Sequence, residues 1–413
     1  MTKVMWRLLP LMALMFLVNQ LDRVNVSFAA LTMNRDLGLS TLDYAWGAGI
    51  FFIAYFVFEV PSNLIMERVG ARRWIARIMI SWGLVTCATM LVKSSVGFLA
   101  LRFLLGVAEA GFVPGLLLYI TWWFPPRYRA RATAVFFFCA PVGNAVAGLL
   151  SVPLLAMDGF AGLHGWQWMF FAEGVPALIL GLYVVRGLPD RPRHARWLAP
   201  EERDWLEQQV DGTPAHSGVM SQLAAILNRR AALLSAIYLT RNMAMYGVSL
   251  FLPLILSGAG LSNGQVGLAA AIPFAFAAVG TVIWAAHSDR NNERHWHTIT
   301  AMALAAAGLI LAAQMGASVW SLAALSVAAL GLYAQAVCFW SLPPLMLSST
   351  AAAAGIAAIN ATGNLGGFLG PYLVGASARG ADFSIGLYLM AACAALSAGL
   401  SYLLMRLKWD VKI

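Results

Sequence analysis

Stretches of about 20 predominantly apolar residues, the length a helix needs to cross a hydrocarbon core of about 30 Å, recur twelve times in this chain. They lie near residues 8–30, 44–65, 74–92, 97–120, 132–156 and 167–187, then near 231–256, 263–286, 297–315, 319–342, 351–376 and 383–405. In lipid each segment must satisfy its own backbone amides, so each is expected as an α-helix. Hydrophobic residues make up 61% of the chain and charged residues 11%, against about 25% charged in a globular protein. That balance excludes soluble and disordered classes. The four cysteines, Cys87, Cys139, Cys338 and Cys393, fall inside apolar runs, so no disulfide framework is expected. Lys3 and Arg7 ahead of an apolar run superficially resemble a signal peptide. The run lacks a small-residue cleavage site and continues into Asn19-Gln20-Leu21-Asp22-Arg23, which predicts a retained first helix.

One long polar segment, about Leu188 to Arg230, divides the stretches into six and six. Within it, a short amphipathic helix opened by Pro200 is expected. The predicted organisation is a six-helix half over 1–187, a linker over 188–230 and a second half over 231–413. A net charge of +9 could suggest nucleic acid, but its placement excludes that. With the N-terminus assumed cytoplasmic, 21 of the 27 lysines and arginines fall in cytoplasmic segments, Lys408 and Lys412 among them. Only Arg35, Lys93 and Arg379 fall opposite, and Arg23, Arg102 and Arg241 lie inside helices. This asymmetry predicts both termini in the cytoplasm.

The halves also repeat. Gly38-Leu39-Ser40 recurs as Gly260-Leu261-Ser262, Glu67-Arg68 as Asp289-Arg290, and Gly143-Asn144 as Gly363-Asn364, each pair at equivalent places in the plan. A parallel repeat of six-helix halves predicts a binding site between them, near mid-membrane.

Glu67-Arg68-Val69-Gly70-Ala71-Arg72-Arg73 matches the acidic-basic-x-Gly-x-basic-basic loop of the major facilitator superfamily, which the chain resembles over nearly its whole length. Asp289-Arg290-Asn291-Asn292-Glu293-Arg294 is a degraded second copy without the glycine and one basic residue. Within the superfamily, residues 21–29, 58–65, 101–115, 122–125 and 360–371 resemble the anion:cation symporter family, through Asp22-Arg23-Val24-Asn25 and Glu59-Val60-Pro61-Ser62-Asn63 in particular. The resemblance implies proton-coupled import of an organic anion, with tartrate or a similar hydroxylated dicarboxylate or sugar acid favoured and aromatic carboxylates open. It implies gating by Glu67, Arg68, Gly70, Arg72, Arg73, Asp289 and Arg290, a bacterial inner-membrane location and a monomeric chain. The implied partners are the anion, protons and the bilayer. Charges at helix ends can bridge neighbouring helices and complement their dipoles; Arg127, Arg129 and Arg131 read mostly as topology markers.

Ionisable groups inside spans cost at least about 2.5–3.5 kcal/mol each, so they are functional candidates. Asp22 and Arg23 interrupt the first helix and, as neighbours about 100° apart, need not pair. Asn19 and Arg23 share a face. Arg102 and Glu109 are two turns apart in the fourth helix. Desolvation and an arginine's approach compete there over the carboxyl's proton. Asp22, Glu109 and Arg102 are therefore expected to couple protons. Glu59 reads as a gate or packing group, and Glu173 as a structurally bonded one. Arg241, with Tyr238 and Asn242 on its face, is expected to meet a substrate anion or a carboxylate from another helix. Asn360 and Asn364 share a face and could read substrate hydroxyls or bond between helices. Gly363xxxGly367 and Gly366xxxGly370 would permit close helix approach.

No cofactor or metal site is expected. His295-Trp296-His297 has no ligand set at metal spacing, no phosphate-binding Gly-rich loop with Lys-Ser/Thr occurs, and no nucleophile–base grouping is found. A proton-driven exporter is the second reading, lowered by the poor match of Ala140-Pro141-Val142-Gly143-Asn144 to the exporters' helix-five signature. From another class, a non-transporting membrane sensor on the same scaffold is an alternative, and a membrane-embedded enzyme is third.

Overall fold

A computed structural model describes residues 1–210, 228–316, 318–347 and 349–407. Residues 211–227 of the linker, and Lys408 and Lys412 of the charge count, lie outside the described residues. The helices are α1 (Thr2–Asp36), α2 (Thr41–Val69), α3 (Ala71–Thr89), α4 (Ser95–Glu109), α5 (Phe112–Trp123), α6 (Pro126–Leu155), α7 (Gly165–Gly187) and α8 (Pro200–Val210). There follow α9 (Arg229–Gly258), α10 (Asn263–Arg290), α11 (His295–Met315), α12 (Val319–Phe339), α13 (Leu342–Met346), α14 (Ser349–Ser377) and α15 (Ser384–Arg406). The expected linker helix is α8. Six spans precede it and six follow, where α4 with α5, and α12 with α13, each form one crossing.

Ten of the crossings are long and apolar enough to span a membrane on length and hydropathy alone. Ala71–Thr89 and Ser349–Ser377 complete the twelve. The former carries Arg72, Arg73 and Arg77 in its first two turns, which lowers its mean hydropathy. The fourth crossing is not continuous: α4 ends at Glu109, and α5 restarts from Gly111. The break sets the Glu109 carboxylate at a helix end.

The internal repeat is built into the turns. Gly38 and Gly260 both take left-handed φ, +64° and +79°, a conformation open to glycine at little cost. Each is followed two residues later by a serine that caps the next helix. Ser40 pairs reciprocally with Asp43 at the start of α2, and Ser262 with Gln265 at the start of α10.

The first and second sets of six helices meet along α2 with α14, α6 with α10, and α1 with α9. Small residues allow these contacts. A side chain added at Gly148 of α6 would meet the backbone oxygen of Gly267 of α10 at 2.8 Å. Gly366 of α14 sits against the backbone of α9, where a Cβ would lie 2.6 Å from the Leu239 oxygen. The expected small-residue stripe on α14 is thus a packing surface. Outward-facing Leu, Ile, Val and Phe side chains, such as Leu182, Ile179, Val279 and Ile283, remain exposed on the perimeter, as a lipid-facing surface requires.

Candidate functional site

Among the described residues, seven acidic or basic side chains are buried within the crossings: Asp22, Arg23, Glu59, Arg102, Glu109, Glu173 and Arg241. The structure sorts them by partner. Arg23 on α1 donates from Nε to Glu109 Oε1 at 2.7 Å, and from Nη1 to the Tyr246 hydroxyl of α9 at 3.3 Å. Its guanidinium also lies 4.9 Å from the Tyr55 ring centre and 5.6 Å from that of Phe51. Arg23 therefore touches both halves of the molecule. Glu109 Oε2 is buried without a partner among the described residues.

Asp22, the adjacent residue, points elsewhere, as the 100° step requires. Its Oδ1 accepts from Thr86 Oγ1 of α3 at 2.6 Å and from Asn25 Nδ2 at 3.4 Å, while Oδ2 has no partner among the described residues. Asn19 shares Arg23's face but is fully buried, and neither end of its amide has a partner among the described residues.

The expected competition between Arg102 and Glu109 is corrected in one respect. The arginine that holds Glu109 is Arg23; Arg102 donates to the Gly47 backbone oxygen at 3.1 Å, with its guanidinium 5.2 Å from the Phe51 ring centre. The helix break after Glu109 and the short approach of α1 decide this. Arg102 still lies in the electrostatic neighbourhood of Asp22 and Glu109.

On the other half, Arg241 donates to Leu332 O from Nε at 3.0 Å and Nη2 at 2.7 Å, and from Nη1 to Asn242 Oδ1 at 2.7 Å. No carboxylate pairs with it among the described residues, so the expected alternative of a carboxylate from another helix is not met; Glu109 is held by Arg23. Asn242 donates onward to Gly363 O at 3.0 Å, so both ends of its amide bind protein. Tyr238 stacks on Phe339 and meets Trp340 edge-on, with Arg241 5.9 Å from its ring centre.

Asn360 and Asn364 take the interhelical role. Both donate to Glu59 of α2, to Oε1 at 2.6 Å and Oε2 at 2.7 Å. One carboxylate thus bridges α2 to α14, in keeping with the gate or packing reading of Glu59. Glu173, expected as a structurally bonded group, adjoins the Asn25 side chain. It is 4% exposed and neither carboxyl oxygen has a hydrogen-bond partner among the described residues.

The loop residues form two local clusters. Arg72 N donates to Asp190 Oδ1 at 2.8 Å, and its Nε lies 3.9 Å from Asp190 Oδ2. This places a carboxylate from the α7–α8 connection on the N-terminus of α3, where backbone N–H groups are free. Gly70, between α2 and α3, packs on that carboxylate. Glu67 is half-buried, and Arg68 and Arg73 are exposed. In the second copy Asp289 pairs at 2.6 Å with Arg294, while the adjacent Arg290 is exposed. Nearby, Glu293 accepts from the backbone N–H of Trp296 and His297. Burial works to raise this carboxyl, but these donors and the His297 ring together hold it below the usual range.

Several polar groups at the interface had no weight in the sequence reading. Asn144 Nδ2 donates to the Tyr333 hydroxyl at 2.6 Å, joining α6 to α12 across the halves. Gln335 is fully buried with neither end of its amide partnered among the described residues. Tyr55 and Thr86 line the Arg23 and Asp22 sides. Gln335 could have been found by the logic used for charges, since it interrupts the apolar run of α12.

A twelve-crossing bundle of two repeated halves, with buried opposite charges where the halves meet, is the architecture of a membrane transporter. The comparisons agree. The family model of the Major Facilitator Superfamily matches residues 12–371, so the chain belongs to that superfamily and is of its anion:cation symporter type. It is 47% identical over 411 residues, 98% of this chain and 91% of the other, to an Agrobacterium vitis protein provisionally named a tartrate transporter. It is 42% identical over 376 residues, 90% of this chain and 87% of the other, to the quinolone resistance transporter of Acinetobacter baumannii. Among solved structures, the partially occluded inward-open xylose transporter XylE of E. coli superposes with a TM-score of 0.75 at 14% identity, covering 99% of each chain. At that identity the likeness concerns the fold alone.

Proposed function

We propose that this transporter imports a small organic dianion, tartrate or a similar hydroxylated dicarboxylate, together with protons. The first half (1–187) and second half (231–413), joined through 188–230, would alternate access around the buried charges. The carrying observation is that two buried arginines on facing halves are dressed unequally. Arg23 already holds a carboxylate, whereas Arg241 is held by a carbonyl and an amide oxygen and meets no carboxylate among the described residues. A substrate carboxylate displacing Glu109 from Arg23, and a second facing Arg241, would make a two-handed site of planar guanidinium forks.

Charge balance supports proton coupling. Asp22, Glu59, Glu109 and Glu173 stand against Arg23, Arg102 and Arg241. A dianion entering this site adds negative charge where desolvation makes it costly, and protons on released carboxyls offset it. Asp22 and Glu109, each with one oxygen unpartnered among the described residues, are the groups assigned to carry them. The relative's name supports tartrate as the first ligand to try.

The test uses proteoliposomes and labelled tartrate. An inward proton gradient should drive accumulation, and Asp22→Asn or Glu109→Gln should abolish it while leaving tartrate–tartrate exchange. Uptake indifferent to the gradient in the wild type would discard proton coupling. Export is the second reading, favoured by the quinolone resistance relative; gradient-driven efflux of a quinolone from loaded vesicles, without tartrate uptake, would establish it instead.

A further inference from the structure

Trp122 and Trp123, at the end of α5, take no part in the buried charge networks above, yet both are buried under the start of the linker. The Arg191 guanidinium lies 3.9 Å from the Trp122 ring centre. Trp197 stacks on Trp123, with ring centres 5.9 Å apart and planes inclined by 13°. One turn earlier in α5, the Tyr119 hydroxyl donates to Pro189 O at 2.7 Å. The same segment reaches two more helices. Asp190 is the carboxylate already seen on the N-terminus of α3. Arg7 of α1 lies 5.3 Å from the Trp197 ring centre, and Lys3 pairs with Glu202 at 2.7 Å. We propose that residues 189–206 are a strap binding the linker-side ends of α1, α3 and α5 into one body. Trp197 is its clasp between α1 and α5, and the strap stays on the first half while the halves move.

α5 needs such a hold. It has 12 residues and restarts after the break at Ala110 and Gly111, so no continuous helical ladder from α4 fixes its far end. The crossings it ties also matter. α1 carries Arg23 and the α4–α5 crossing carries Glu109, so the strap joins at their ends the two crossings that the ion pair joins in the middle. The aromatic contacts carry most of this hold. An indole stacks on a second indole and accepts a cation over its face. The Lys3–Glu202 pair is solvent-exposed, and exposed pairs contribute little. Leu198 and Leu206 are buried beneath the strap and add apolar contact. The far end of the linker is fastened separately, where Arg230 in the first turn of α9 donates to Met346 O at 3.0 Å. Each end therefore belongs to its own half. Staying docked through transport presupposes the alternating-access reading above; the hold on α5 does not.

Hydrogen exchange of the full chain in nanodiscs, without substrate, tests the hold, because local opening shows as faster amide exchange. In Trp197→Ala, exchange should rise in the strap (196–206) and in the last turn of α5 (120–124), and stay unchanged in α15. A rise confined to the strap, with α5 as protected as in the wild type, overturns the proposal. If that variant does not fold, Arg191→Ala replaces it with the same two outcomes. The second arm joins Lys3→Cys to Glu202→Cys with a short bis-maleimide in proteoliposomes, and wild type given the same reagent controls for the native cysteines. Tartrate uptake should survive the crosslink. Uptake lost only in the crosslinked protein would show that the strap must leave α1 during transport, and overturns that part. Absence of tartrate uptake before crosslinking would count against the proposed substrate, and the exchange measurement would then decide the strap by itself.

Discussion

Arg23 Nε lies 2.7 Å from Glu109 Oε1, joining α1 to α4 through side chains that are 8% and 0% exposed. Removing one member of such a pair strands the other charge, at a cost of about 3–5 kcal/mol. Arg23→Ala should therefore destabilise the protein strongly in a detergent melting assay, and Arg23→Ala with Glu109→Ala should recover most of the loss. Equal losses in the single and double variants would show that the charge pair is not what holds α1 to α4.

Arg241 spends two nitrogens on Leu332 O and a third on Asn242 Oδ1. A lysine offers one point charge and cannot span that geometry. Arg241→Lys should weaken dicarboxylate binding by about tenfold, the equivalent of ~1.4 kcal/mol, and leave the monoamide of the same acid nearly unaffected. Comparable losses for the two ligands in a calorimetric titration would discard the two-handed site and leave Arg23 as sole anchor.

Glu59 accepts from Asn360 and Asn364, and hydrogen bonds to charged groups contribute about 1.5–3 kcal/mol each. Glu59→Gln keeps one acceptor but turns an amide donor toward a donor on α14. The α2–α14 contact should loosen, seen as a broader distance distribution between spin labels on these two helices. An unchanged distribution would reduce Glu59 to a packing residue with no bearing on how the halves separate.

Gly70 has φ of +95°, and a Cβ there would lie 2.8 Å from Asp190 Oδ1. Backbone strain of this kind costs about 1–3 kcal/mol, so Gly70→Ala should lower the melting temperature and disturb the Asp190–Arg72 contact. Asp190→Ala in the same background should relieve only the steric share. Full recovery in the double variant would mean that the backbone conformation carries no cost.

Much of this molecule was legible in its residues because lipid leaves few choices. Runs of the required length must be helical, and each predicted crossing is matched by one helix or, for the fourth and tenth, by two in succession; the linker helix at Pro200 is matched as well. Gly38 and Ser40 repeat as Gly260 and Ser262 because both turns need a left-handed glycine and a serine cap, so the repeat could be read before it was seen. The rarity of charge in apolar runs also picked out Asp22, Arg23, Glu109 and Arg241. Their partners were another matter. Spacing along one helix suggested Arg102 for Glu109, yet Arg23 holds it, since pairing across helices depends on how α1 and α4 approach and on the break after Glu109. The same holds for Glu59 with Asn360 and Asn364, 301 and 305 residues apart, and for Asn144 with Tyr333. A sequence shows which buried groups need a partner, because that cost is local; which partner each one finds is decided by tertiary packing, because hydrogen bonds act only over a few ångströms.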